Sequence, residues 1–256
     1  MNAMDQTRIS VAIITKNEAD DIGACLASVA GWTHEVIVVD SGSSDGTPEI
    51  CRRAGAKVIE TTDWPGFGSQ KNRAVDACTG DWILSLDADE AVPPALRDEI
   101  LTVLGQPIQD AYRMPRLSSF CGREMHHSGW WPDYVLRLFR RGRGRFSDDR
   151  VHERVLVDSA VGTLREPLHH KAIVEIEESI AKVNRYSSDG AEAAYAKGKR
   201  ASLSRAVASG LWTFVRIYVL RRGFLDGRRG FLLAVLNAEG AYYRYVKLWL
   251  KAERDR

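Results

Sequence analysis

Four short apolar runs, at residues 9–14, 35–40, 57–60 and 82–87, alternate with helix-patterned segments through the first ninety residues. This alternation most narrows what the chain can fold into, because it predicts a parallel sheet joined by right-handed crossovers. Strands buried on both faces read as continuous rather than alternating apolar runs, as these do. The punctuation agrees. Asn17 with Glu18, Asp20 and Asp21 supplies a cap and an acidic first turn for a helix whose apolar face is Ile22, Cys25, Leu26 and Val29. Thr47-Pro48 supplies a cap and first-turn proline for a helix through Ala54, closed by Gly55. A helix near residues 70–77 precedes the fourth strand, which follows the break at Thr79-Gly80.

Beyond Pro93-Pro94 and a helix at 95–104, the pattern turns strand-like at 111–116, 135–140 and 154–157, so the second half of the sheet is expected to be mixed or antiparallel. From about residue 174 the chain reads as helical, which suggests a domain over 1–175 and a helical region over 176–256. Leu203, Ala206, Val207, Gly210, Leu211, Phe214, Ile217 and Tyr218 keep helical spacing, and a further helix is expected at 231–250. Arg216 interrupts the first of these, and Glu239, Arg244 and Lys247 the second, whereas a membrane span needs about 20 largely apolar residues.

Charge sets this last region apart. Residues 1–196 carry 22 basic and 30 acidic side chains, whereas residues 197–256 carry 14 basic and 4 acidic, so the front is −8 and the tail +10. A basic tail meets something anionic. Trp212, Phe214, Ile217 to Leu220, residues 231–236 and Tyr242-Tyr243-Arg244-Tyr245 interleave large apolar groups with the basic ones, which favours a lipid interface over nucleic acid. The helices are expected to lie on a membrane surface. The 45% hydrophobic content excludes a disordered chain. Cys25, Cys51, Cys78 and Cys121 have neither zinc-site nor disulfide-framework spacing and read as reduced thiols in a cytoplasmic protein. Residues 1–8 are short and polar, and the apolar run that follows is too brief for a signal-peptide core, so no secretion is expected.

Chemistry concentrates where strands end, the usual location of ligands in α/β proteins. The fourth strand delivers Asp87 and Asp89, oxygen ligands suited to Mg²⁺ or Mn²⁺ carrying substrate phosphates. In a lone polar turn an Asp-x-Asp is a solvated loop; here it terminates an apolar run. The second strand ends at Asp40 ahead of a Gly/Ser turn, with Asp45 read as a helix cap, and the first ends in Thr15-Lys16-Asn17-Glu18. No phosphate-binding loop is present, since Ser41 to Thr47 lacks a Gly-Lys-Ser/Thr ending.

Ile13-Ile14-Thr15-Lys16-Asn17-Glu18, then Val38-Val39-Asp40-Ser41-Gly42-Ser43-Ser44-Asp45-Gly46-Thr47, Lys71-Asn72-Arg73-Ala74 and Gly80 to Glu90 resemble, in order and spacing, the family 2 glycosyltransferases. Trp131-Pro132-Asp133-Tyr134-Val135-Leu136-Arg137-Leu138-Phe139-Arg140 and the run from Phe146 to Glu153 are similar to the lipopolysaccharide core β-1,4-glucosyltransferases that glucosylate inner-core heptose. The resemblance implies a GT-A fold, a Rossmann-like mixed sheet flanked by helices, with the amphipathic helical segment appended. It implies an inverting transfer of a hexose, glucose from UDP-glucose foremost, to a lipid-linked saccharide acceptor, with Mg²⁺ or Mn²⁺ as cofactor. Thr15, Glu18, Asp40, Lys71 and Asp87 would then hold the UDP-sugar, and Asp89 the metal. His169 is a second candidate ligand, and His126 and His127 beside Trp130 and Trp131 suit an acceptor loop.

A single displacement needs a base for the acceptor hydroxyl. Glu153 ranks ahead of Asp133 and Asp149, and no Glu-Asp pair of the kind many relatives use lies beyond the Asp-x-Asp strand. The alternatives are another cell-envelope acceptor, a phosphotransferase with Asp87 as nucleophile, disfavoured because Glu90-Ala91 follows Asp89, and a non-catalytic membrane-docking protein.

Overall fold

The computed structural model describes residues 7–148 and 153–254, in two compact units: Met1–Arg116 with Asp133–His170, and Leu117–Pro132 with Lys171–Arg256.

In the first unit β1 (Ile9–Thr15), β2 (Glu35–Asp40), β3 (Lys57–Glu60) and β4 (Trp82–Asp87) are parallel in the order β3-β2-β1-β4. The helices α1 (Ile22–Val29), α2 (Thr47–Arg53) and α3 (Phe67–Asp76) make the crossovers, and β5 (Glu90–Ala91) and α4 (Pro94–Gly105) follow. The sheet then turns antiparallel, as β6 (Ala111–Phe120) pairs through residues 111–116 with β8 (Asp133–Arg140), which pairs with β4. Of the short strands, β7 (Arg123–Glu124) belongs to the second unit, and β9 (Gly144–Phe146) and β10 (Val155–Val157) form a separate antiparallel pair. β11 (Val161–Thr163) lies parallel to β6, and β12 (Leu168–Ile173) sets His169 and His170 antiparallel to β5.

Both faces of the sheet are covered because successive residues of a strand point to opposite sides. Val11, Ile13, Val38, Leu84 and Leu86 pack with Ile22, Leu26, Leu96 and Ile100 of α1 and α4. Ala12, Ile37, Val39, Ile83 and Phe139 pack with Ala74 and Val75 of α3 and with Phe146. Cys25, Cys51 and Cys78 are buried free thiols, and burial pushes Cys51 up to about 11 and Cys78 up to about 12.

Asn17 does not cap α1, which begins at Ile22. It takes a positive φ of 56°, and its side-chain oxygen accepts from Ser44 N at 2.9 Å while its own N–H donates to Ser43 Oγ at 2.8 Å. Glu18 N donates to Thr47 Oγ1 and Ala19 N to Asp45 Oδ2. The polar residues after β1 and β2 therefore tie two strand-end loops together, the usual use of short polar side chains that bond nearby backbone.

The close approach of α3 to the chain before Glu153 dictates Gly68. A Cβ there would lie 1.9 Å from the Ser147 carbonyl oxygen. Asn72 holds the same segment by a reciprocal pair, donating to Phe146 O at 3.0 Å and accepting from Phe146 N at 2.9 Å. Gly68→Ala should lower stability by about 2 kcal/mol by forcing backbone apart, read as a fall in melting temperature of about 4–8 °C. An unchanged melting temperature would show that this contact gives way freely.

In the second unit α7 (Gly227–Arg254) packs against both α5 (Ile176–Ala196) and α6 (Leu203–Val215). Phe120 and Met125 bury against Leu233 and Leu236, with Trp130 edge-on to Phe120. Asp226, buried, accepts from Ser128 Oγ at 2.7 Å and His126 N at 3.2 Å and lies 3.1 Å from His127 Nδ1, so it fixes the loop that carries these histidines.

Candidate active site

The parallel register aligns Thr15 with Asp40 and Ile14 with Asp87, so three strand ends open on one rim. A pocket of about 590 Å³ lies there, lined by Thr15, Lys16, Glu18, Lys71, Asp87 and Asp89, together with Trp64, Phe67, Glu153 and His170. Its size suits a nucleotide-scale ligand.

Lys71, rooted in α3 and almost fully buried, bridges two acids: its Nζ is 2.8 Å from Asp87 Oδ1 and 2.9 Å from Glu153 Oε1. The second Asp87 oxygen pairs with Arg137 of β8, whose guanidinium also reaches Glu90 Oε1 at 2.7 Å. Burial opposes ionisation of Asp87, but Arg137 and Lys71 hold its carboxyl well below the usual range. Burial pushes Glu90 upward, while Glu90 Oε2 accepts from Asp87 N at 2.9 Å and so fixes the turn after β4. Asp89, two residues beyond Asp87 and on the same pocket wall, lies 3.3 Å from His170 Nε2.

Glu18 is half-buried and faces Asp89, Asp21, Asp45 and Asp87. Burial first, and then these charges, raise it from 4.5 to about 7. A carboxyl that holds its proton more tightly folded than unfolded is fully tolerated below about 4.5 and costs stability as pH climbs toward 7. Glu18→Gln should therefore melt with the wild type at pH 4.5 and above it at pH 8. The expected gap at pH 8 is about 1 kcal/mol once solvent screening is allowed for, or about 2–4 °C. A gap of the same size at both pH values would contradict this assignment.

Thr15, Glu18, Lys71, Asp87 and Asp89 are thus brought together as the sequence suggests, with Glu153 among them. Asp40 is not on the pocket wall. It is buried, and its oxygens accept from Thr15 Oγ1 at 2.9 Å, Gly42 N at 3.0 Å and Ser43 N at 2.8 Å, so it shapes the rim from beneath. His170 takes the place expected for His169, because neighbouring residues of β12 face opposite ways and the even-numbered one lines the pocket. Asp133 pairs with Arg116 at 2.6 Å and does not line the pocket. Asp149 lies outside the described residues.

Arg137 and Glu90 were not singled out as functional from the sequence. The signal was an arginine inside the apolar run Val135 to Phe139, a position that demands a buried partner. Trp64 and Phe67, stacked edge to face at 4.9 Å and each half-exposed, lie in a stretch with no distinctive pattern.

A sequence profile described as Glycosyl transferase family 2 matches residues 10–168. The chain belongs to glycosyltransferase family 2. An uncharacterized glycosyltransferase of Rickettsia conorii is 32% identical to it over 97% of this chain and 92% of that protein. The lipopolysaccharide core biosynthesis glycosyltransferase LpsC of Rhizobium meliloti is 30% identical over 94% of this chain and 92% of its own length. The solved structure of S. aureus TarS 1-349 in complex with UDP has the same fold, with a TM-score of 0.50 and 16% identity over 97% of this chain and 92% of that one. The fold is GT-A, and the enzyme is a glycosyltransferase with relatives in lipopolysaccharide synthesis.

Proposed function

We propose that this family 2 enzyme transfers glucose from UDP-glucose, with inversion, to an inner-core saccharide of lipopolysaccharide, working at the cytoplasmic face of the membrane. The observation that carries this reading is the acid-lined pocket in which Lys71 joins Asp87 to Glu153 while Asp89 meets His170. The core-glycosyltransferase name of the Rhizobium meliloti relative supports the acceptor.

Asp89 and His170 fit a divalent ion as a carboxylate oxygen and an imidazole nitrogen. Among the described residues no group of three or more His, Cys, Asp or Glu side chains forms a metal cage. That suits Mg²⁺ or Mn²⁺, which is commonly held by one or two side chains, with substrate phosphates and water completing its shell. When bound, the metal would neutralise the charge that develops on the departing diphosphate. Asp87, kept ionised by its two cations, orients the nucleotide, and Thr15 and Glu18 form the wall toward the base and ribose. Glu153 accepts the acceptor hydroxyl's proton, and Lys71 positions its carboxylate.

The test is UDP release from a panel of UDP-sugars with Mg²⁺ or Mn²⁺ and extracted acceptor lipid. Turnover is expected with UDP-glucose and lipid-linked core acceptor. No release from any UDP-sugar would overturn the enzymatic reading, and turnover only with another envelope acceptor would overturn the assignment to lipopolysaccharide.

Attachment to the bilayer is part of the proposal. No helix among the described residues is long and apolar enough to cross a membrane. The exposed face of α6, Leu203, Val207, Leu211 and Val215, continues into exposed Trp212, Leu220, Phe224 and Leu225. Arg205, Arg216, Arg221, Arg222 and Arg228 are exposed around it. Such a face supports binding in the plane of an anionic surface, with each nearby basic residue adding about 1 kcal/mol. Leu211→Glu with Trp212→Glu should cut co-sedimentation with anionic vesicles at least tenfold. Unchanged co-sedimentation would place the contact elsewhere.

A further inference from the structure

The second unit holds a cavity of its own, about 420 Å³, between α5, α7 and Trp130. Its walls are Trp130, Ile173, Val183, Leu233 and Leu236. It has also three polar features that an ordinary packing gap would lack. Lys182 and Arg244 line it, on α5 and α7 respectively. Lys182 is paired with Glu178 one turn earlier, whereas Arg244 has no carboxylate partner among the described residues and stacks on Tyr245 at 6.0 Å. Ser179, 4% exposed, also lines the cavity, and its hydroxyl has no hydrogen-bond partner. A buried hydroxyl left without a partner costs free energy that a ligand can recover.

Gly240 keeps the space open. A Cβ there would sit 3.6 Å from Val183, in ordinary contact, so alanine fits, whereas a larger side chain would enter the cavity. Apolar walls with a few convergent polar groups make a binding site. Two cations and a hydroxyl over an indole and branched aliphatic side chains select a ligand with an anionic head and an alkyl chain.

We propose that this cavity binds a single-chain anionic amphiphile of the phospholipid class, its phosphate on Arg244, Lys182 and Ser179 Oγ and its chain against Trp130, Leu233 and Leu236. All of these residues belong to the second unit, so the proposal does not depend on the donor chemistry.

The test is calorimetric titration of the full chain, below the critical micelle concentration, with lysophosphatidic acid, lysophosphatidylcholine and glycerol 3-phosphate. Lysophosphatidic acid should bind at least tenfold more tightly than lysophosphatidylcholine, and glycerol 3-phosphate, which has no chain, should not bind measurably. Gly240→Leu should abolish binding and Gly240→Ala should retain it. Arg244→Gln should weaken binding about tenfold, and the surface pair Leu211→Glu with Trp212→Glu should leave it within twofold. UDP binding, measured in parallel, should be unchanged in every variant, and unchanged helical circular dichroism shows that the second unit of each is folded. Equal affinity for the two lysolipids, or binding that survives Gly240→Leu, would overturn the proposal. Tight binding of glycerol 3-phosphate alone would mark a phosphate site with no role for the chain and would overturn it too.

Discussion

Replacing Asp89 with asparagine should lower transfer at least about 10³-fold, a loss of about 4 kcal/mol of transition-state stabilisation, while leaving the melting temperature unchanged. The side chain is partly open to the pocket and pairs with His170, so the fold loses little when the charge is removed. The reaction loses the oxygen ligand that would anchor the metal on the diphosphate. His170→Gln should cost about 10–100-fold, in line with weakening a ligand set without destroying it, and His169→Gln should stay within twofold because that side chain is not on the pocket wall. UDP-release rates at saturating donor, with melting curves for each variant, measure all three. Normal turnover by Asp89→Asn would remove Asp89 from the metal site, and equal losses at His169 and His170 would remove the distinction between them.

The largest effect on stability is expected at Arg137. Its guanidinium is nearly fully buried between Asp87 and Glu90, and Glu90 is fully buried. Arg137→Met keeps the volume but leaves two carboxylates facing each other without their shared cation. Breaking a buried pair from one side costs about 3–5 kcal/mol, so the melting temperature should fall by about 6–20 °C. Adding Glu90→Gln should recover a substantial part, since one of the uncompensated charges is then gone. The two substitutions are in contact and will not add, and the double-variant cycle reads their coupling directly. If Arg137→Met melted like the wild type, the network would be ornament around Asp87 rather than its support.

These two sites behave differently for a reason visible in their surroundings. Asp89 sits at a strand end where the chain is open and its charge can be given to a ligand. Asp87 shares the same tripeptide and the same pocket wall, but Lys71 and Arg137 grip both its oxygens and hold it ionised. The strand ends at Asp87 and the chain turns at Ala88-Asp89, so the Asp-x-Asp spacing puts both carboxylates on one pocket wall, and their different partners make them inequivalent.

The strand–helix alternation, the parallel pairing of the first four strands and the meeting of Thr15, Glu18, Asp87 and Asp89 at one rim follow from the chain alone, and the family resemblance adds Lys71. Apolar period, glycine and proline punctuation and the placement of acids after apolar runs are local signals, and parallel topology carries their ends to one edge. What only the tertiary structure decided is which polar side chain is spent on the fold. Asp40, which the sequence offers as a nucleotide contact, and Asn17, which it offers as a helix cap, are both bonded to the strand-end loops, through Thr15, Gly42, Ser43 and Ser44. His170 rather than His169 lines the pocket, because neighbouring residues of β12 face opposite ways. Leu117–Pro132 joins the helical unit because Phe120 and Met125 bury against Leu233 and Leu236, more than a hundred residues later. Pairings across such separations leave no mark on local pattern, since they depend on which surfaces meet and not on how either segment reads by itself.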